Sequence, residues 1–298
     1  MGKMVKMEES GFGIAGDCWD CDLQVGYEAQ KGLSMKVDGE PIPRQGDYLR
    51  MGGLVVWMGN DDLDLVRGSA RVRRRYLDFI GCQLDPAYRD HLNRYNRVLK
   101  ARNILLKDRL PRDVEISAYD ELLIRHGNYL TKSRRKLAEM LEPEATKAQR
   151  NVSACDERVG MDYVSGSGDD LARSLEMTRD RERRVGQTLV GPHRDELRLG
   201  INGMAAADFA SEGQQRTMAL ALKLAQGELL QKQAGQIPVY LLDDIFGELD
   251  PQRRNALMDV LPQGAQKLIT TTHLDWMEGD FEVIHMGQAD ATTAAKKR

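Results

Sequence analysis

The sequence predicts an α/β fold with a separate, mostly α-helical lobe, and three observations carry that expectation. Val239-Tyr-Leu-Leu242 is apolar without alternation and runs straight into Asp243 and Asp244, the pattern of a parallel-sheet strand buried on both faces. One helix later, Lys267-Leu-Ile-Thr-Thr-Thr-His273 reads as a second strand of the same kind. Between about residues 61 and 141 the pattern turns instead to long, charged helices joined by short links, as in a helical hairpin.

Composition bounds the answer. With 298 residues the chain has room for about two domains. Hydrophobic residues at 41% and charged residues at 30% are ordinary for a globular protein with a sizeable core. The net charge of −3 makes no global demand for nucleic acid, so any such contact must come from a local patch. No apolar run is long enough to span a membrane, and no signal peptide is visible. Of the four cysteines only Cys18 and Cys21 are close, and a zinc site would need a second pair. Free thiols in a reducing cytoplasm are the expectation.

The elements divide into three regions. Residues 1–58 read as β-rich, with short alternating stretches at 11–26 and 33–37, an Asp38-Gly39 hairpin and a buried strand from Leu54 to Trp57. Residues 59–186 form the helical lobe. Ser69 can cap a helix to Ile80, and Asp85-Pro86 places an N-cap and an N1 proline at the head of another helix reaching about Lys107. A third runs from Ser117 to Leu141, where Glu142-Pro143 should end it. A strand and turn follow at 163–168, then a helix at 169–184. Residues 187–298 return to α/β: an Asn202-Gly203 hairpin, a helix from about Ser211 to Lys232 with Met218, Leu222, Ala225 and Leu229 as its core face, the acid-tipped strand, a helix after Asp250-Pro251, the Thr-rich strand and a last strand at 281–286. The small, polar tail from Gln288 is expected to be disordered.

Each motif has a plain and a functional reading. Asp243 and Asp244 stand where open α/β sheets bind ligands, beyond the carboxyl end of a strand. One carboxylate there can hold Mg²⁺ on a nucleotide while its neighbour polarises a water; the plain reading is a pair of solvated acids. Ser211-Glu-Gly-Gln214 fits a capping box. Yet Gly213 in the first turn also lets backbone N–H groups approach an anion, which makes the helix N-terminus a phosphate site. Asp250 before Pro251 is a helix cap or an acid facing a dimer interface. His273 is a structural histidine or a hydrogen-bond donor to the same phosphate. Arg71, Arg73, Arg74 and Arg75, with Arg67 nearby, form the densest basic cluster. It is either a DNA-phosphate contact or a solvated face paired with Asp61, Asp62, Asp64 and Asp78.

Taken together, Ser-x-Gly-Gln-Gln-Arg-Thr opening a helix, Leu-Leu-Asp-Asp-x-x-x-Glu-Leu-Asp and Leu-Ile-Thr-Thr-Thr resemble an ABC-type ATPase head of the SMC group. The resemblance is nearest to the RecF family of bacterial DNA replication and repair proteins. It takes in Leu189-Val-Gly-Pro-His-Arg-Asp195, Asp62-Leu-Asp-Leu-Val-Arg-Gly68, Arg73-Arg-Arg-Tyr-Leu-Asp78, Tyr95-Asn-Arg-Val-Leu-Lys100 and Arg102-Asn-Ile-Leu-Leu-Lys107, over roughly residues 50–275. The resemblance implies ATP and Mg²⁺ as cofactors. Ser211, Gly213 and Gln214 match the signature that meets the γ-phosphate held by the other subunit, and Asp250, in the D-loop 247–250, would act there too. Asp243 matches the Walker B acid that holds Mg²⁺ through water, Asp244 would orient the attacking water, and His273 matches the switch histidine. The implied role is that of a weak DNA-dependent ATPase, dimerising on DNA at single-stranded gaps with RecO and RecR as partners and serving the SOS response.

The chain also departs from the family pattern. It contains no G-x-x-x-x-G-K-[ST] phosphate loop: Gly2-Lys3 has no hydroxyl residue next, and Gly166-Ser-Gly168 is followed by acids. Gly59-Asn60 stands where the family usually has a Ser-Pro-like pair. The expectation is an N-terminally truncated, P-loop NTPase-like head, read as a fragment or misassigned start of a RecF protein. Such a polypeptide binds ATP weakly and is inactive alone. The alternative is a non-catalytic DNA-binding or scaffold protein with a degenerate head.

Overall fold

A computed structural model of the chain describes residues 5–6, 8–18, 21–108, 112–272 and 281–284. Four antiparallel strands come first, β1 (Gly11–Cys18), β2 (Cys21–Glu28), β3 (Gly32–Val37) and β4 (Glu40–Pro41), in sequential order. The β3–β4 turn is the expected Asp38-Gly39, with φ of 52° and 81°, the pair of positive values a type I′ hairpin requires. Cys18 and Cys21 are backbone partners in the β1–β2 register. After helix α1 (Gln45–Met51), β5 (Val55–Gly59) leads through a 3₁₀ turn into the short α2 (Asp64–Arg67).

The helical lobe comprises α3 (Ala70–Leu84), α4 (Pro86–Leu105), α5 (Asp113–Ser153) and, after β6 (Val159–Val164), α6 (Leu171–Val185). Asp85 caps α4 by accepting from Ala87 N at 2.9 Å, as its position before Pro86 predicts. Ser69 occupies the N-cap of α3 without a side-chain cap bond. The expected stop at Pro143 does not occur: α5 passes through it for 41 residues. A mid-helix proline costs about 3 kcal/mol. Burial of Leu141, Ala145, Ala148 and Val152, mostly against the helix α8 described next, offsets that cost. Thr146 also fastens the extension to β6, its hydroxyl bonded to Val159 O and accepting from Val159 N, each at 3.1 Å.

The remaining elements are β7 (Glu196–Ile201), β8 (Met204–Ala205), α7 (Ala206–Phe209), α8 (Glu212–Ala234), β9 (Val239–Asp243), α9 (Pro251–Val260) and β10 (Lys267–Thr270). Asn202 and Gly203, with φ of 50° and 83°, close the β7–β8 hairpin as expected. Helix α8 is the axis of the core. The sequence pattern marks one apolar face, but Ala219, Leu220, Ala221 and Leu224 are buried as well. The helix lies between the 41-residue α5 and the sheet and has no solvent side over this stretch. Residues 281–284, expected as part of a last strand, have no regular structure; residues 285–286 of that strand, His273, Gly2-Lys3 and the tail from Gln288 lie outside the described residues.

The parallel sheet has the order β10-β9-β5. Its Tyr240, Leu242, Val56 and Met58 face is buried. The opposite face is not, contrary to the expectation of a strand covered on both sides. In the row Trp57, Leu241, Leu268, held in register by the β5–β9 and β9–β10 pairings, Trp57 is 44% exposed and Leu268 55%. An apolar run in sequence does not by itself say which face another element covers.

Two buried ionic clusters hold the helical lobe together. Arg134 of α5 reaches Asp78 of α3 at 2.8 Å and Asp195, before β7, at 2.9 Å. Arg102 of α4, wholly buried, reaches Asp120 of α5 at 2.6 Å and Glu182 of α6 at 2.7 Å. Beside them His193 lies with Nδ1 2.7 Å from the Tyr95 hydroxyl and Nε2 3.1 Å from Thr188 O. A neutral ring satisfies both contacts, and burial pushes its pKa down to about 4. The unfolded chain takes up that proton near pH 6.5, so this contribution is complete above pH 6.5 and is lost as pH falls toward 4. Between pH 7 and pH 5 the native protein should lose about 2 kcal/mol through this group. His193→Gln should flatten that part of the profile in urea titrations; an unchanged slope would refute the assignment.

Candidate functional site

The acids predicted from sequence sit at the C-terminal edge of the parallel sheet. Asp243 ends β9, in register with Gly59 of β5 and Thr270 of β10. Its Oδ1 accepts from the Thr270 hydroxyl at 2.6 Å, and its side chain is exposed. Asp244 follows with φ of 51°, a left-handed conformation that costs a non-glycine residue energy and that concentrates at functional sites. Two contacts hold it there, from its N–H to Thr270 O at 3.2 Å and to Thr270 Oγ1 at 3.1 Å. Its Oδ1 is buried without a hydrogen-bond partner. A buried, unsatisfied carboxylate oxygen is costly unless a water or ion completes it.

Helix α8 opens on the capping box expected from sequence. Gln214 N donates to Ser211 Oγ at 3.3 Å, and Ser211 N donates to Gln214 Oε1 at 2.8 Å. Gln214 then donates from Nε2 to Glu157 Oε1 at 2.7 Å, and Glu157 is held in turn by Gln149 at 2.6 Å. Ser211 is exposed and Gly213 half-buried. Asp250 caps α9, accepting from Arg253 N at 2.9 Å and pairing with Arg253 Nη1 at 2.7 Å. The Arg253 backbone N–H holds the Asp250 carboxyl below the usual range, and the nearby guanidinium adds to this.

The structure therefore gathers two groups. Asp243, Asp244 and Thr270 form the strand-end cluster, while Ser211, Gly213, Gln214 and Asp250 form a second, joined through Arg253. The 3₁₀ turn Phe246–Glu248 connects them, and Glu248 pairs with Arg216 of α8 at 2.9 Å. Sequence reasoning missed Thr270, Glu157 and Arg253. Arg253 alone left a trace, standing three residues after the N-cap acid.

The arginine cluster divides. Arg73 forms a two-point pair with Glu196, at 2.8 and 3.1 Å, and donates to Gly68 O at 2.8 Å. Arg74 donates to Asp195 O at 2.6 Å. These partners are not the acids named in the solvated-face reading: Asp78 pairs with Arg134 and Asp62 with Lys223. Arg71 and Arg75 are exposed, one helical turn apart on the same face.

The donor set fits the acid end of a Mg²⁺–nucleotide site. Asp243 has an exposed carboxylate, and Asp244 has an orphaned oxygen. Hard cations of this kind prefer oxygen ligands completed by water. With the capped N-terminus of α8 and the parallel sheet beside it, the chain has the fold class of an ABC-type ATPase head with an added α-helical lobe. No protein-family model matches the chain. It is 36% identical over 299 residues to the DNA replication and repair protein RecF of Synechococcus sp. (strain JA-3-3Ab), covering 92% of this chain and 78% of that one. RecF of Gloeothece citriformis (strain PCC 7424) is 37% identical over 285 residues, covering 84% and 74%. A solved structure of the recombination mediator protein RecF with ATP, in the RecFOR pathway, superposes with a TM-score of 0.83 at 29% identity, covering 94% of this chain and 79% of that one. The chain belongs to the RecF family of DNA replication and repair proteins. Among the described residues no helix is long and apolar enough to cross a membrane.

Proposed function

We propose that this chain is the ATP-controlled, DNA-bound component of a recombination-mediator pathway in the cytoplasm. It acts as a homodimer at single-stranded gaps alongside RecO and RecR and serves the response to DNA damage. The observation that carries this reading is the pairing of a strained, partly unsatisfied Asp244 with a glycine-bearing, serine-capped helix N-terminus. Asp243 would hold Mg²⁺ through water, and the metal would neutralise phosphate charge when bound. Asp244 would orient a water, and His273, which lies outside the described residues, would donate a hydrogen bond to the same phosphate. Ser211, Gly213, Gln214 and Asp250 would meet the nucleotide held by the other subunit. ATP in the RecF structure matched above supports ATP as the ligand.

DNA contact is assigned to Arg71 and Arg75, whose guanidinium groups have no hydrogen bond or ion pair among the described residues. In anisotropy titrations with gapped DNA, Arg71→Ala/Arg75→Ala should weaken binding and reduce the salt slope by roughly 1.5–2. Arg73→Ala should instead cost about 2 kcal/mol of stability through loss of its pair with Glu196. Absence of DNA binding by the unmodified chain at low salt would overturn the functional reading. An unchanged slope in the double variant would overturn only the arginine assignment.

Residues 1–298 contain no G-x-x-x-x-G-K-[ST]. The loop supplies most of the β- and γ-phosphate contacts in P-loop proteins. Calorimetry of residues 1–298 with Mg-ATP should therefore detect no tight binding. A tight complex would overturn that expectation.

A further inference from the structure

Arg253 connects two segments that the sequence presents as separate motifs. Its backbone N–H and Nη1 both engage Asp250, at 2.9 and 2.7 Å. This double hold aims the guanidinium at the first turn of α8. A Cβ on Gly213 would stand 3.0 Å from Nη2 and 3.2 Å from Nη1, tighter than an ordinary contact. Glycine at 213 is thus the residue that leaves room for the fork, and the fork is what fills the space beside it. One turn further, Arg216 bridges Glu212 at 3.1 Å and Glu248 at 2.9 Å. Glu212 belongs to the signature turn and Glu248 to the loop before Asp250. Two arginines therefore stitch the same two segments together.

We infer that Arg253 is a positioning residue that fixes the spacing between Asp250 and the Gly213 turn, so that the two segments present a single rigid surface. The inference rests on the reading that both segments meet a nucleotide held by another subunit. On that reading the nucleotide encounters a preset pair of contacts instead of two loops that must be ordered separately. Pre-organisation of this kind lowers the cost of association and acts on turnover more than on ground-state affinity. The guanidinium suits this role better than an ammonium would. Its planar fork engages the carboxylate through Nη1 while Nη2 stands beside the Gly213 turn.

A mutant cycle read by amide hydrogen exchange tests the coupling in the chain itself. The reporters are the amides of Gln214 and Gln215, bonded to Ser211 Oγ and Ser211 O, and that of Arg254, bonded to Asp250 O. Arg253→Ala should accelerate exchange at all three about tenfold, the loss expected for one charge-assisted contact. Gly213→Ala should accelerate residues 214 and 215 by displacing the fork, and should add nothing in the Arg253→Ala background. Arg253→Lys keeps the charge on Asp250 but not the fork, so it should restore residue 254 and leave 214 and 215 fast. Additive effects of the two alanine variants, full rescue by lysine at all reporters, or unchanged exchange in Arg253→Ala would each overturn the inference. A second measurement separates it from the functional reading. When this chain is mixed with a RecF-family subunit that carries a phosphate loop, Arg253→Ala should lower kcat with KM for ATP unchanged. If the unmodified chain gives no turnover in such mixtures, the trans-site reading falls, and the exchange cycle still decides the coupling.

Discussion

Replacing Arg102 with methionine should cost about 3–5 kcal/mol, among the largest single-residue losses expected in this chain. The guanidinium is completely buried, and three elements converge on it. Asp120 lies at 2.6 Å, Glu182 at 2.7 Å, and the Thr188 hydroxyl accepts from Nη1 at 2.9 Å. Removing the cation leaves Glu182, itself fully buried, without a counter-charge. Asp120 is less exposed to this loss because Arg179 also reaches it at 2.8 Å. The damage should therefore centre on the packing of α6 against α4. Arg102→Met combined with Glu182→Leu removes both charges and should recover most of the stability, since apolar replacement of a buried pair is often close to neutral. Urea unfolding of the single and double variants distinguishes the cases. A double variant no more stable than Arg102→Met would show that packing, not charge, dominates here.

Phe246→Ala should cost about 3–5 kcal/mol and should also loosen the candidate site. The ring is fully buried in the main core although it belongs to a one-turn 3₁₀ segment between Asp244 and Asp250. It anchors a loop flanked by the half-buried Asp244 and the exposed Asp250. Without it, the left-handed Asp244 loses the packing that holds its backbone in place. Phe246→Leu should retain most of the stability. Amide exchange at residues 244–250 should rise more in the alanine variant than the global change accounts for. Equal changes at the site and in the global transition would show that Phe246 acts on the core alone.

The legible parts of the site were those set by short-range chemistry. Ser211 and Gln214 three residues apart, Asp250 before a proline, and the Asp-Gly and Asn-Gly turns each follow from local hydrogen bonding or backbone preference. The structure realises all of them. Pro143 misled because its local cost is real but smaller than the burial that a 41-residue helix gains along α8. The uncovered Trp57 face misled for a related reason: hydrophobicity states what a strand can bury, not what is present to cover it. The arginine cluster reads as uniform in sequence. Only the fold gives Arg73 and Arg74 internal partners while leaving Arg71 and Arg75 outward.

The amino-acid sequence by itself determined the class of fold, the acid-tipped strand and the capped helix at Ser211, and with these motifs the family. These depend on periodicity, turn chemistry and spacing, which are written along the chain. Tertiary structure alone decided which residues complete the site. Thr270 reaches Asp243 from a strand 27 residues away, Glu157 braces Gln214 across 57 residues, and Arg253 rests on Gly213 from the neighbouring helix. Such contacts arise from strand register and helix packing, where separation in sequence has no bearing on distance.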